Sequence, residues 1–275
     1  MKIKVIAAVI SLALATTAFA NSPINKDSYT DNGQGKTIVL IHAFPADHHL
    51  WDMQIKTLSQ KYRVITLDLK GFGQATPTDG KTVSMREYAA QVKQLLDQLH
   101  VKTAVIGGES MGGYISLAFL KAYPDKTEGL ILSNTQAKTD SAEENVADKK
   151  DAADILVNGT NRLVADFVPK ALSSNASHEA KELVTDMFAN QKATGVASAL
   201  RGMATREDTT KTLAATSIPV LIISSNLDEV ISPKESMKMS KIAKNSKLIM
   251  IKDAGHLTNI ERPDVWNKAV ENYFK

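Results

Sequence analysis

Ala104-Val105-Ile106-Gly107-Gly108-Glu109-Ser110-Met111-Gly112-Gly113-Tyr114 is the stretch that decides the reading of this chain. A β-branched, apolar run suits a buried parallel strand. It runs directly into Gly108-Glu109-Ser110-Met111-Gly112, a G-x-S-x-G sequence, and an apolar helix-like run over 114–120 follows, ending near Tyr123-Pro124. A serine at such a strand-to-helix corner sits on a sharp, strained turn, so the residues two positions away on each side must be small. Gly108 and Gly112 supply that room. The turn lifts the hydroxyl clear of the backbone, a geometry that suits a nucleophile. The five-residue pattern alone arises by chance in roughly one chain in ten of this length. The strand before it and the helix after it are what raise Ser110 above an incidental serine in a glycine-rich turn.

Outward from this corner, strand-like runs alternate with helix-like runs. Strands are expected at 37–41, 63–67, 103–107, 128–133, 219–224 and 247–251, and helices at 51–60, 85–100, 110–122, 233–242 and 263–274. Strands separated by helix-length segments imply parallel pairing with right-handed crossovers. The expected fold is α/β, a mostly parallel, doubly wound sheet with helices on both faces. One segment breaks the alternation. Residues 137–215 contain no convincing strand, only helical stretches, and read as a helical lid over the strands' carboxyl ends, where open α/β sheets bind ligands. The core is then 21–136 together with 216–275. Before residue 37 little chain remains for further strands, and 27–30 is the one remnant.

The first twenty residues read as a leader rather than as fold. Lys2 and Lys4 precede an apolar run over 5–14, and Ala18-Phe19-Ala20 is a small-x-small cleavage pattern before Asn21-Ser22-Pro23. This is the form of a secretory signal cut after Ala20. An uncleaved anchor is the competing reading, but the apolar run is shorter than the roughly 20 residues a membrane span prefers. The expected location is periplasmic or secreted, with no stable membrane span once residues 1–20 are gone. The formal charge of +3 falls to +1 without Lys2 and Lys4, so no electrostatic case exists for nucleic acid. The sequence contains no cysteine, which excludes disulfides and a thiol nucleophile and is compatible with an oxidising compartment. None of the six histidines forms an H-E-x-x-H or similar ligand pattern. His48 and His49 are adjacent, and a regular helix or strand would point them apart. No metal site is read.

A serine hydroxyl is a poor nucleophile until a base accepts its proton, and that base is usually a histidine held by a carboxylate. His256 lies in Asp253-Ala254-Gly255-His256-Leu257, just after the strand ending at Ile251. Asp228 lies in Ser224-Ser225-Asn226-Leu227-Asp228, just past another strand end, with Pro233 opening the next helix. Both belong at the sheet edge that carries Ser110. Taken singly, a loop histidine is usually a surface residue and a loop aspartate a turn former. Three such residues at successive strand ends, in the chain order Ser, Asp, His, point instead to a catalytic set. Glu229 and Asp253 are rival acids, ranked lower because Asp228 is nearer the strand end and Asp253 precedes the loop's glycine. Two backbone donors complete the chemistry. Met111 N–H follows the nucleophile, and Phe44 N–H sits in the turn His42-Ala43-Phe44-Pro45, restrained by the proline after it.

These segments carry a resemblance. Val39-Leu40-Ile41-His42-Ala43-Phe44-Pro45, Leu67-Asp68-Leu69-Lys70-Gly71-Phe72-Gly73, the Ser110 corner, Leu227-Asp228 with Pro233, and Gly255-His256 together resemble the α/β-hydrolase fold family. The stretch Ala199-Leu200-Arg201-Gly202-Met203-Ala204 is similar to the capped serine esterases and enol-lactonase-like hydrolases. The resemblance implies that Ser110 is nucleophile, His256 base and Asp228 acid, with Phe44 and Met111 forming the oxyanion hole. The chain departs from the family pattern at Ala43, where many members have glycine, at Lys70, where arginine is common, and at Ala75, where serine is common.

The expected activity is hydrolysis of a carboxylic ester, lactone or thioester of a small molecule through an acyl-enzyme on Ser110, with no cofactor. Two other readings share the fold. A ligand-binding protein without turnover has no need for all three of Ser110, Asp228 and His256. An acyltransferase is not separable from a hydrolase by sequence. Trp51, Phe167, Met187, Phe188 and Met203 are the expected pocket residues, and their character favours an acyl group with hydrocarbon content.

Overall fold

The computed structural model describes residues 22–275; the leader read at residues 1–20 lies outside the described residues. In chain order the elements are β1 (Tyr29–Asn32), β2 (Thr37–Ile41), α1 (Asp52–Leu58), β3 (Arg63–Leu67), α2 (Met85–Gln98), β4 (Ala104–Glu109), α3 (Met111–Ala122) and β5 (Thr127–Ser133). Five helices follow without a strand: α4 (Ala142–Asn158), α5 (Asn161–Ala171), α6 (His178–Ala189), α7 (Ala193–Met203) and α8 (Thr210–Ala215). The chain closes with β6 (Val220–Ser225), α9 (Pro233–Ile242), β7 (Ser246–Ile251), α10 (Thr258–Glu261) and α11 (Pro263–Tyr273).

The strands form one sheet in the order β1-β3-β2-β4-β5-β6-β7, parallel except for β1, which pairs antiparallel with β3. The strand expected at 27–30 therefore exists, shifted to Tyr29–Asn32 behind a short 3-10 turn. Alternate residues divide the core between two faces, as the period of a strand requires. Val39 and Ile41 of β2 pack with α2 and α3 residues such as Tyr88 and Ile115. Ile38 and Leu40 pack on the other face with Leu58 of α1 and Val270 of α11. Both faces are covered at the centre of the sheet, so β2, β4 and β6 are buried along their whole length, as doubly covered parallel strands must be.

Strand order reverses between β2 and β4, because β3 lies on one side of β2 and β4 on the other. Such a switch point opens a crevice at the carboxyl ends of the strands. Ile41 is in register with Gly108, so the turn holding Phe44 and the corner holding Ser110 leave the sheet side by side. The five inserted helices are anchored to these loop ends. Gly195 of α7 lies so close to Gly71 that a Cβ on Gly195 would stand 1.9 Å from the Gly71 carbonyl oxygen. Leu257 N–H donates to the Ala171 carbonyl at 3.0 Å. Among the described residues, no helix is long and apolar enough to cross a membrane.

Candidate active site

The Ser110 corner has the strain its sequence implies. Ser110 has φ 54° and ψ −115°, a left-handed conformation that a non-glycine residue adopts only when its surroundings over-determine it. Its surroundings do so. A Cβ on Gly108 would stand 2.2 Å from the Gly112 carbonyl carbon, and one on Gly112 would stand 2.1 Å from the Ile41 carbonyl oxygen. The corner is also tied to the next strand: Ser110 N–H donates to the Ser133 carbonyl at 2.9 Å, and Thr135 Oγ1 donates to the Ser110 carbonyl at 2.8 Å.

Asp228 and His256 meet. His256 Nδ1 lies 3.0 and 2.9 Å from the two carboxylate oxygens of Asp228, and both side chains are fully buried. Asp228 Oδ1 also accepts from Val230 N–H at 2.8 Å and Ile231 N–H at 2.9 Å. Burial alone would raise this carboxyl. The charge and hydrogen bond of His256, then the Asn134 amide and the Ile231 N–H, outweigh burial and hold Asp228 below its ordinary range. Beside an ionised Asp228, Nδ1 is the donor, and in that tautomer Nε2 is the nitrogen left to accept a proton. Nε2 is buried and makes no hydrogen bond among the described residues. No Ser110–His256 hydrogen bond is formed. In sites without substrate such bonds are often long and tighten only when the reacting group is bound.

Asn134 is the site residue that sequence reasoning missed. It follows β5 with φ 43° and is wholly buried. Its amide nitrogen donates to Asp228 Oδ2 at 2.9 Å and to Ser225 Oγ at 2.9 Å, and its oxygen accepts from Thr258 Oγ1 at 2.8 Å. One side chain thus joins the loops after β5, β6 and β7. The available signal was Ser133-Asn134-Thr135, three polar residues that follow the apolar run of β5 at the sheet edge carrying Ser110. Glu109 is a second buried acid, and neither of its carboxyl oxygens makes a hydrogen bond of good geometry among the described residues. Burial pushes it well above the carboxylate range; the Ser133 hydroxyl offsets this in part, and the Asp228 charge adds to the rise.

Other candidates fall into place around this pair. Glu229 and Asp253 are exposed, and neither hydrogen-bonds His256. Phe44 and Met111 stand at the mouths of β2 and β4, and neither N–H has an acceptor among the described residues. His42 is not a second base: Leu69 N–H donates to its Nε2 at 3.1 Å, its Nδ1 meets the Ala43 carbonyl at 2.8 Å, and burial lowers its pKa. His48 and His49 do not diverge as their adjacency suggested. They sit in a 3-10 turn with ring centroids 4.1 Å apart, although His48 Nδ1 is engaged by Asp68 at 2.7 Å.

Ser110 opens into a cavity of about 360 Å³ between the sheet edge and the inserted helices. Phe167 and Met203 line it, beside Phe44, Leu200 and Ile231. Trp51, Met187 and Phe188 do not. Trp51 is wholly buried against Trp266, with ring centroids 5.3 Å apart. Phe188 stacks behind Phe167 at 5.9 Å, and Met187 is buried in the same core cluster. The apolar residues that glue α6 down were indistinguishable in sequence from those that face the pocket. A larger hollow of about 500 Å³ lies between α2, α3 and the segment after α7, but Ser110 does not line it.

Comparison with known proteins places the architecture. A family model described as alpha/beta hydrolase fold matches residues 36–263. 3-oxoadipate enol-lactonase 1 of Acinetobacter baylyi is 28% identical over 260 residues, spanning 89% of this chain and 95% of that one. A pimeloyl-acyl-carrier-protein methyl ester esterase of Legionella pneumophila is 28% identical over 256 residues, spanning 92% and 99%. Among solved structures, a thermophilic esterase from Thermogutta terrifontis superposes with a TM-score of 0.88 at 32% identity, covering 90% of this chain and 92% of that one.

Proposed function

The chain belongs to the α/β-hydrolase fold family, and we propose that it is a serine hydrolase cleaving a carboxylic ester, lactone or thioester through an acyl-enzyme on Ser110. The relatives named as an enol-lactonase and as esterases support a hydrolase. The observation that carries the finer reading is the Asp228–His256 pair, with Nε2 free, on the same sheet edge as a serine held at positive φ.

In this reading Ser110 Oγ attacks the acyl carbon while His256 Nε2 takes its proton. Asp228 fixes the ring's tautomer and stabilises the imidazolium that forms. The carbonyl oxygen, now negative, is received by the N–H groups of Phe44 and Met111. One such donor is typically worth about 2.7–4 kcal/mol of barrier. The tetrahedral intermediate collapses, and Nε2 returns its proton to the departing alcohol, thiol or lactone oxygen. Water then attacks the acyl-enzyme, giving a proton to Nε2, and the acid leaves as Oγ is reprotonated.

Ser110→Ala is expected to abolish both the hydrolysis of short p-nitrophenyl esters and covalent labelling by a fluorophosphonate. Labelling that survives this substitution would move the nucleophile elsewhere. We read the chain further as exported, on the pattern of residues 1–20. The intact mass of the protein recovered outside the cytoplasm tests this, and a mass retaining residues 1–20 would refute cleavage.

A further inference from the structure

The mouth of the Ser110 cavity carries a charge opposite to that of the chain as a whole. Asp140, Glu144, Asp148, Asp151, Asp154 and Asp166 line it, against only Arg162 and Lys170, on a protein whose formal charge is +3. Most of these carboxylates lie along one face of α4, at spacings of three and four residues that return to the same side of a helix. Asp166 faces them from α5.

The cations offset this only in part: Lys170, which has no ion-pair partner among the described residues, Arg162 and the adjoining Arg206 stand against six carboxylates. Arg162 is spent on Asp151 and Asp154, at 3.3 and 3.1 Å. Arg206 pairs with Asp140 from behind, its guanidinium over the Tyr114 ring at 4.1 Å. Glu144 is held by Ser141 N–H at 2.7 Å in a helix cap, which leaves its charge in place. Glu144, Asp148 and Asp166 have no ion-pair partner among the described residues. The crowding is felt at Asp148: burial, then the charge of Asp140, pushes it up to about 6 against the pull of Arg206. Among the described residues no group of three or more such side chains is placed to hold a metal ion.

Beneath this mouth the cavity is apolar and aromatic. Phe44 and Phe167 meet edge to face with centroids 6.2 Å apart, and Ile155, Leu163 and Met203 complete the wall. Independently of the carboxylates, Ser110 itself lines this cavity from its strained corner, so a reacting acyl group would be received within it.

We propose that the cavity selects acyl substrates bearing an organic cation, such as a quaternary ammonium, over neutral ones, and turns away substrates bearing a carboxylate. This rests on the serine hydrolase reading above. A cleft of one sign with low-dielectric walls concentrates the opposite charge and speeds its association by ten- to a thousandfold. Aromatic faces add attraction for a weakly hydrated cation. An anionic substrate meets the same field with the sign reversed.

The test uses three p-nitrophenyl esters of matched length: those of 4-(trimethylammonio)butanoic acid, its neutral isostere 5,5-dimethylhexanoic acid, and glutaric acid esterified at one end. At pH 8 and low salt, kcat/KM is expected to fall in that order, by about tenfold per step. The cationic-to-anionic ratio should shrink on raising NaCl to about 0.5 M, because screening shortens the reach of exposed charges. It should collapse in Asp148→Asn/Asp166→Asn. If the neutral ester is hydrolysed through Ser110 but the glutarate ester matches it, or the ratio ignores both salt and the double variant, the charge selection is wrong while the hydrolase reading stands. If no ester is turned over, the hydrolase reading fails, and titrating the same esters into Ser110→Ala still decides the pocket's preference. Tenfold tighter binding of the cationic ester than of the anionic one is expected there, and equal binding overturns the proposal.

Discussion

Asp228 grips His256 Nδ1 with both carboxylate oxygens, at 3.0 and 2.9 Å, while Nε2, across the ring, is buried without a partner among the described residues. An imidazole held this way keeps one tautomer and one orientation, as the proposed base requires. Asp228→Asn is close in shape but offers an amide that can force the other tautomer. The expected result is a fall in kcat of about 10⁴ with KM little changed. Steady-state kinetics on a neutral ester checks it; a loss under tenfold would mean that Asp228 does not orient the base.

The corner residues admit no side chain. Gly112→Ala places a Cβ 2.1 Å from the Ile41 carbonyl oxygen, on a buried strand that cannot retreat. The expected cost is about 3 kcal/mol or more, read as a shift in the urea midpoint at constant slope. A midpoint within error of the wild type would show that the corner has more freedom than its contacts imply.

Glu261 latches the inserted helices to the histidine loop. Its carboxylate accepts from Ser173 N–H at 3.1 Å, Ser173 Oγ at 2.5 Å and Gly255 N–H at 2.7 Å, one residue before His256. Removing it in Glu261→Ala leaves buried donors unmet, at about 1–3 kcal/mol each. Both melting temperature and kcat should drop, and Glu261→Gln, which keeps one acceptor oxygen, should recover part of each. A variant that melts early but turns over normally would make the latch structural only.

Asp148 gives a pH signature. Its carboxyl is raised to about 6 when folded, against an ordinary value near 3.8. The folded state therefore holds the proton more tightly than the unfolded chain. Stability from this group is fully present below the ordinary value and is lost as pH rises through about 6. Asp148→Asn should raise the melting temperature relative to wild type at pH 8, and the gap should close toward pH 4. A gap independent of pH would remove the titration as its cause.

Much of the fold was legible because strands and helices write themselves locally. The strands at Thr37–Ile41 and Arg63–Leu67 and the helix at Pro233–Ile242 have the bounds read from the sequence. Hydrophobic period and a proline at the helix start are properties of neighbouring residues. The end of α2 was read two residues long, at His100, where a positive φ of 55° breaks the helix after Gln98. The pocket was less legible. Phe167 and Phe188 are both apolar residues of inserted helices, and only the stacking of one behind the other decides which meets the cavity.

By itself the sequence determined the alternation that makes a parallel sheet, the glycines that let a serine take a left-handed turn, and three side-chain types at strand ends. Those are local matters of sterics and period. That both Asp228 oxygens close on one nitrogen of the imidazole, that Asn134 binds three loops together, and that carboxylates from two helices face one mouth were decided only by tertiary structure. Each depends on residues far apart in the chain, brought together by the order in which the strands pack, and such distances are set by burial of the whole core rather than by any one segment.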